Sequence, residues 1–161
     1  MRISTLLTAL VVLAPLPAAA TMTATFRDGA PKDRFTLQYS GDCVLSDIEI
    51  EIDLGTAPAG LIFDTTSAGA GVEVFQPLEW VTGTARTTAV TDGDTALTLS
   101  LDTIAPGDVL AFTIDIDDTT STRQITVNGS EMAGATLRMD STDALFDDTG
   151  TAVMALAPCT S

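Results

Sequence analysis

Residues Asp108 to Asp118 read DVLAFTIDIDD, and their alternation decides the fold class. Strand side chains alternate with period two, so Leu110, Phe112, Ile114 and Ile116 fall on one face. Val109, Ala111, Thr113, Asp115 and Asp117 fall on the other. The first set requires a core to pack on. The second ends in two carboxylates about 7 Å apart, because two residues advance roughly 6.6 Å along a strand. Asp118 follows at once. Three acids at one strand end, with no cation before Arg123, suit a hard ion with oxygen ligands such as calcium.

The same alternation recurs outward along the chain. Phe35 to Tyr39 alternates after Asp33 and Arg34. Ile48, Ile50, Ile52 and Leu54 interleave with Asp47, Glu49, Glu51 and Asp53, which predicts a half-buried strand with an acidic outer face. Gly60 to Phe63 is a short apolar run. Val72 to Val81 reads as a strand that Pro77 confines to an edge or a bend. Thr84 to Val90 is weaker, and Ala96 to Leu101 alternates again. Arg123 to Val127, Ala133 to Met139 and Ala152 to Leu156 complete the set. Turn sequences separate them: Gly41-Asp42, Asp92-Gly93-Asp94, Pro106-Gly107-Asp108 and Asn128-Gly129-Ser130. The expectation is a single antiparallel β-sandwich of about 8–10 strands, jelly-roll-like, without a helical period or internal repeat.

The first twenty residues read differently. Arg2 supplies a positive start, Leu6 to Leu13 an apolar run, and Ala18-Ala19-Ala20 a small-residue cleavage site. Residues 1–20 are therefore expected to be a signal peptide and residues 21–161 the domain, exported to the periplasm or beyond. The apolar run is too short to span a bilayer, and no later run approaches that length.

Removing 20 of the 161 residues leaves 141, enough for one ordinary domain core. All 22 acids stay and six of seven cations stay, so this domain carries a net charge of −16. Such charge repels nucleic acid and anionic lipid, and favours cations and cationic surfaces. Histidine is absent, which excludes Ser-His-Asp and Cys-His nucleophiles and His-based zinc sites. Cys43 and Cys159 are an even pair in a chain read as exported, and they read as a disulfide.

The candidate ligands for an ion are Asp115, Asp117, Asp118, Asp92, Asp94, Asp64 and Glu131, each at a strand end or turn. Sandwich loops gather at one end, where acids from separate strands can share an ion. Charges about 7 Å apart repel by roughly 0.6 kcal/mol in water and roughly 2.4 kcal/mol at an effective dielectric of 20. Several converging carboxylates therefore need a cation, protonation or displacement; solvated turns are the alternative. The pattern is not an EF-hand: from Asp115 the sixth and twelfth positions are Thr120 and Thr126, where glycine and glutamate belong. Trp80, Tyr39 and Phe75 offer rings for a sugar platform, though a core also needs them. Glu79 and Glu131 are the formal carboxylates for a glycoside hydrolase, a remote alternative that nothing around them marks.

Several phrases occur in one order: Gly60 to Asp64, Gly71 to Pro77, Asp92-Gly93-Asp94, Pro106-Gly107, Phe112 to Asp118, Gly129 to Glu131, and Gly134-Ala135. Over roughly residues 25–140 the chain resembles small exported bacterial proteins labelled aggregation factor core proteins. That label derives from the core protein of sponge cell-aggregation proteoglycans, whose adhesion depends on calcium. The resemblance implies an extracellular, calcium-assisted adhesion module, with the acids above as the carried-over positions. The function expected first is a non-catalytic, calcium-stabilised module that binds a surface polysaccharide or itself. A structural envelope or matrix protein without a specific ligand is the other reading.

Overall fold

The computed structural model describes residues 19–71, 74–120 and 126–159. The described residues hold twelve strands and no helix. The first six are β1 (Thr21–Arg27), β2 (Asp33–Ser40), β3 (Leu45–Asp53), β4 (Leu61–Phe63), β5 (Glu79–Thr82) and β6 (Arg86–Thr87). The others are β7 (Ala96–Ile104), β8 (Val109–Ile114), β9 (Ile116–Asp118), β10 (Thr136–Met139), β11 (Thr142–Leu145) and β12 (Thr151–Ala155).

Two five-stranded antiparallel sheets face each other as a sandwich. One has the order β12-β1-β2-β8-β5, the other β11-β10-β3-β7-β6. The pairing of β3 with β7 in one sheet is nested within that of β2 with β8 in the other, as in a jelly-roll-like fold. Alternation sets which side of each strand is inside. On β3, Ile48, Ile50 and Ile52 are buried while Glu49 is exposed. On β2, Phe35, Leu37 and Tyr39 are buried, and on β1 so are Met22, Ala24 and Phe26. The aromatic centre is Phe35, whose ring lies 5.4 Å from Phe26, 5.3 Å from Phe112 and 6.3 Å from Phe146.

Three differences from the sequence expectation have physical causes. β1 and β11 were not anticipated; β1 takes its place because every second residue from Ala20 to Phe26 is apolar and buried. In the run Val72 to Val81 the described residues yield only β5, at the sheet edge, with a bulge between Trp80 and Thr82. Upstream of Pro77, Gln76 spends its backbone groups on Asp64 and Asp115 instead of a ladder. The long strand from Val109 breaks at Asp115, and its end, β9, pairs with β4 in a separate two-stranded sheet. The segment Arg123 to Val127 lies mostly outside the described residues, as does nearly all of the expected signal peptide. Ala20, at the expected cleavage point, is buried and its carbonyl accepts from the Leu156 N–H.

Cys43 and Cys159 form the disulfide, with Cα atoms 6.2 Å apart and a sequence separation of 116. It ties the chain after β12 to the turn after β2. Tyr39 supports that turn from the core, donating its hydroxyl to the Cys43 carbonyl at 3.0 Å. Closing a loop of this span removes roughly 4–5 kcal/mol of unfolded-chain entropy as an upper bound. Replacing both cysteines by serine is therefore expected to lower the urea midpoint by a loss of up to about 4 kcal/mol, with the far-UV β signal kept.

Candidate functional site

The site grows from the break in the β8–β9 strand. At Asp115 the chain leaves the ladder with β2 and β5 and begins pairing with β4. The Asp115 N–H donates to the Gln76 carbonyl at 3.2 Å, and its carbonyl accepts from the Asp64 N–H at 3.1 Å. The Asp64 carbonyl in turn accepts from Gln76 at 3.2 Å. Three segments distant in sequence are thus stitched together at one end of the sandwich. Beyond the stitch, Ile62 lies opposite Asp117 and Leu61 opposite Asp118.

This stitching buries acid. Asp64, Asp117 and Asp118 are 0%, 2% and 1% exposed, and Asp115 is 7% exposed. The solvated-turn alternative therefore does not describe these four. Gly71 closes over Asp64 so tightly that a Cβ there would sit 2.1 Å from the carboxyl carbon. Asp33, at the start of β2, is 2% exposed and lies opposite Ile114. It was not singled out in the sequence, although its phase with Phe35, Leu37 and Tyr39 places it on the inward face.

Burial of charge has an electrostatic consequence. The Asp33 carboxyl is pushed up to about 8, first by desolvation and then by the charges of Asp115 and Asp28; backbone N–H groups of Gly29 and Ile116 pull the other way. Asp115 is pushed up to about 7, again first by desolvation, then by Asp117 and Asp64. Asp33 thus senses the charge of Asp115, and Asp115 senses those of Asp117 and Asp64, through the field.

Asp92 and Asp94 flank the same end in a different role. The Asp92 carboxylate accepts from the N–H groups of Thr65 and Thr66 at 2.8 and 2.7 Å, and from both threonine hydroxyls. Burial raises its pKa, but these bonds outweigh it and hold it below the usual value. It fixes the loop that follows Asp64. Asp94 accepts from the Thr91 N–H at 2.7 Å, and its carbonyl accepts from Phe63. Glu131 accepts from the Asn128 N–H at 2.8 Å and closes its own turn.

The alternative sites take other forms. Tyr39 lies in the core and Trp80 packs edge-on to Phe112 at 5.5 Å, while Phe75 is half-buried, so the three rings do not make an exposed platform. Glu79 is ion-paired with Lys32. Among the described residues, a group with three ligand atoms within 4.8 Å of one another is Asp42, Cys43 and Cys159. Its two sulfurs are joined to each other, so it is no thiolate site. The buried carboxylates form no such triple among the described residues. Comparison with family models, with curated proteins and with solved structures finds no match to this chain.

The raised carboxyls set a direction for stability. The unfolded chain ionises Asp33 and Asp115 near pH 4, while the folded chain holds their protons to about 8 and about 7. Their contribution is complete below about pH 4 and is lost as pH rises through pH 7 to 8. The melting temperature is expected to fall from pH 5 to pH 8. Asp33→Asn, which keeps the acceptor for Gly29, is expected to raise it at pH 8 and flatten the slope. A profile rising toward pH 8 would contradict this arrangement.

Proposed function

We propose that the chain is a non-catalytic binding module of the adhesion type, whose acidic end is stabilised by a divalent cation such as calcium. The observation that carries this reading is the burial of Asp33, Asp64, Asp115, Asp117 and Asp118 around one strand break. Carboxylates are the hard oxygen donors that calcium prefers. Neutralising them by an ion removes the cost that otherwise forces protons onto Asp33 and Asp115. Asp115, Asp117 and Asp64 are the residues that would hold the ion, with Asp92 keeping the neighbouring loop in place. Ligand oxygens around calcium lie at about 2.4 Å from it, so a shared ion requires spacings below roughly 5 Å. Binding therefore includes a rotation of at least one side chain.

In this reading the cation does no chemistry. It rigidifies the end of the sandwich, and the adjoining surfaces meet a polysaccharide or another copy. The charge on the chain opposes nucleic acid as a partner. The signal-like start and the disulfide support export, and among the described residues no helix is long and apolar enough to cross a membrane.

Thermal melting with millimolar calcium, then with excess chelator, tests the proposal. A ligand bound only by the folded state adds about 2.7 kcal/mol at a hundredfold excess over Kd. The shift is expected to be larger at pH 8 than at pH 5, because protons compete for the same oxygens. Asp115→Asn with Asp117→Asn is expected to abolish it. An identical melting temperature with and without calcium, and no heat of binding, would remove the cation from the mechanism.

A further inference from the structure

The outer faces of the two sheets carry opposite charge. On the β3 sheet the outward row of Glu49, Glu51 and Asp53 is joined by Asp102 and Asp143, with Asp47 and Asp140 beside them. Two cations stand among these seven acids, and both are engaged. Arg138 bonds Glu51 and Asp143, and Arg86 bonds Asp102 at 2.7 Å. Asp47, Glu49 and Asp140 line an open groove of about 440 Å³ that Arg86 borders.

The outer face of the β1–β2 sheet is the reverse. Alternation with the buried residues points Thr21, Thr23, Thr25 and Arg27 outward on β1, and Arg34, Thr36, Gln38 and Ser40 on β2. Thr151, Val153 and Ala155 continue it on β12. Glu79 is the carboxylate on this face, and Lys32 holds it. Arg27 and Arg34 lie directly opposite each other across the β1–β2 ladder, both exposed. Among the described residues neither has a carboxylate within 4 Å, in a chain with 22 acids. Like charges directly opposite in a ladder destabilise it. Among the described residues no ion pair offsets this one.

We propose that a second copy of this chain does: the Arg27–Arg34 pair of one molecule seats against the Asp47–Glu49–Asp140 groove of the next. Two copies of a strongly acidic chain repel in most orientations. The face-to-back orientation sets the cationic face against the acidic one and is selected by charge. Because the two surfaces are different and on opposite sides of the sandwich, the contact is heterologous and repeats, giving open stacks instead of a closed dimer. The inference rests on the self-association limb of the function proposed above, and it names the surfaces.

Sedimentation and light scattering of the purified protein in chelator test it apart from the calcium reading. At low salt the mean mass is expected to rise with concentration. At roughly 1 M salt, where the screening length is about 3 Å, it is expected to return to the monomer. Arg27→Glu with Arg34→Glu is expected to abolish stacking. So is Glu49→Lys with Asp47→Asn, the asparagine being chosen because Asp47 has φ +52° and asparagine tolerates that region. An equimolar mixture of the two variants is expected to associate again, since each then offers the face the other lacks. Arg27→Ala with Arg34→Ala is the milder check and is expected to weaken stacking, and a melting temperature no lower than that of the wild type confirms the fold in every case. A wild-type monomer at low salt, association that survives Arg27→Glu with Arg34→Glu, or a mixture that stays monomeric would each overturn the stacking contact. Association that needs calcium and withstands salt would overturn it too, leaving an ion as the bridge.

Discussion

Everything at the acidic end follows from one conflict between backbone and side chain. The backbone of Asp115 is needed to stitch β8, the Asp64 segment and the Gln76 segment together. Its side chain is thereby carried out of water, alongside those of Asp64 and Asp117. A buried carboxylate must be neutralised, hydrogen-bonded or matched by opposite charge. Asp33 and Asp115 answer by holding protons near neutral pH. Asp92 answers in the opposite way, collecting four hydrogen bonds at a more exposed position and staying ionised. Identical side chains a few residues from one another in space thus have opposite protonation, set by their surroundings.

The sandwich was legible because its evidence is periodic. A run such as Ile48-Glu49-Ile50-Glu51-Ile52 can bury one face only as a strand, and β3 does so. The disulfide was legible from composition, two cysteines without a histidine to share a metal with. The break at Asp115 was not, because alternation continues through Ile116 while the pairing partner changes. Partner exchange depends on where Asp64 and Gln76 arrive, which is tertiary information. The burial of Asp117 and Asp118 was hidden for the same reason: an acid at a strand end reads as solvated until another segment covers it. Asp33 did carry a signal. Its inward phase with Phe35 was available, and reading it as a polar lead-in to the strand overrode the periodicity.

A raised carboxyl pKa is also what a general acid requires, so the hydrolase reading must be weighed against the same facts. A general acid has to reach the atom it protonates, within about 3 Å or through one water. Asp33 is 2% exposed and Asp115 7% exposed, and both are shifted chiefly by desolvation. The two glutamates first considered for catalysis are occupied, Glu79 by Lys32 and Glu131 by the Asn128 N–H. The carboxyls with raised pKa are therefore the covered ones, and these two glutamates have structural partners. This distribution favours acids that shape the end of the sandwich over acids that meet a substrate.

Under the proposed stacking, charge that is costly in one molecule becomes useful between molecules. The chain places its excess acid in two settings, a buried cluster at one end and an exposed band on the β3 sheet, and leaves the opposite face nearly free of it. Buried acid responds to protons and hard cations, and exposed acid responds to cationic surfaces and to salt. The two responses are separable because screening by salt acts strongly on exposed charges and weakly on buried ones. On the reading proposed above, a change in pH or divalent ion would act on the rigidity of the fold, whereas a change in ionic strength would act on how copies meet. An adhesion module of the proposed kind would gain from that separation, since its shape would be fixed by one condition of the surroundings while its contacts are tuned by another.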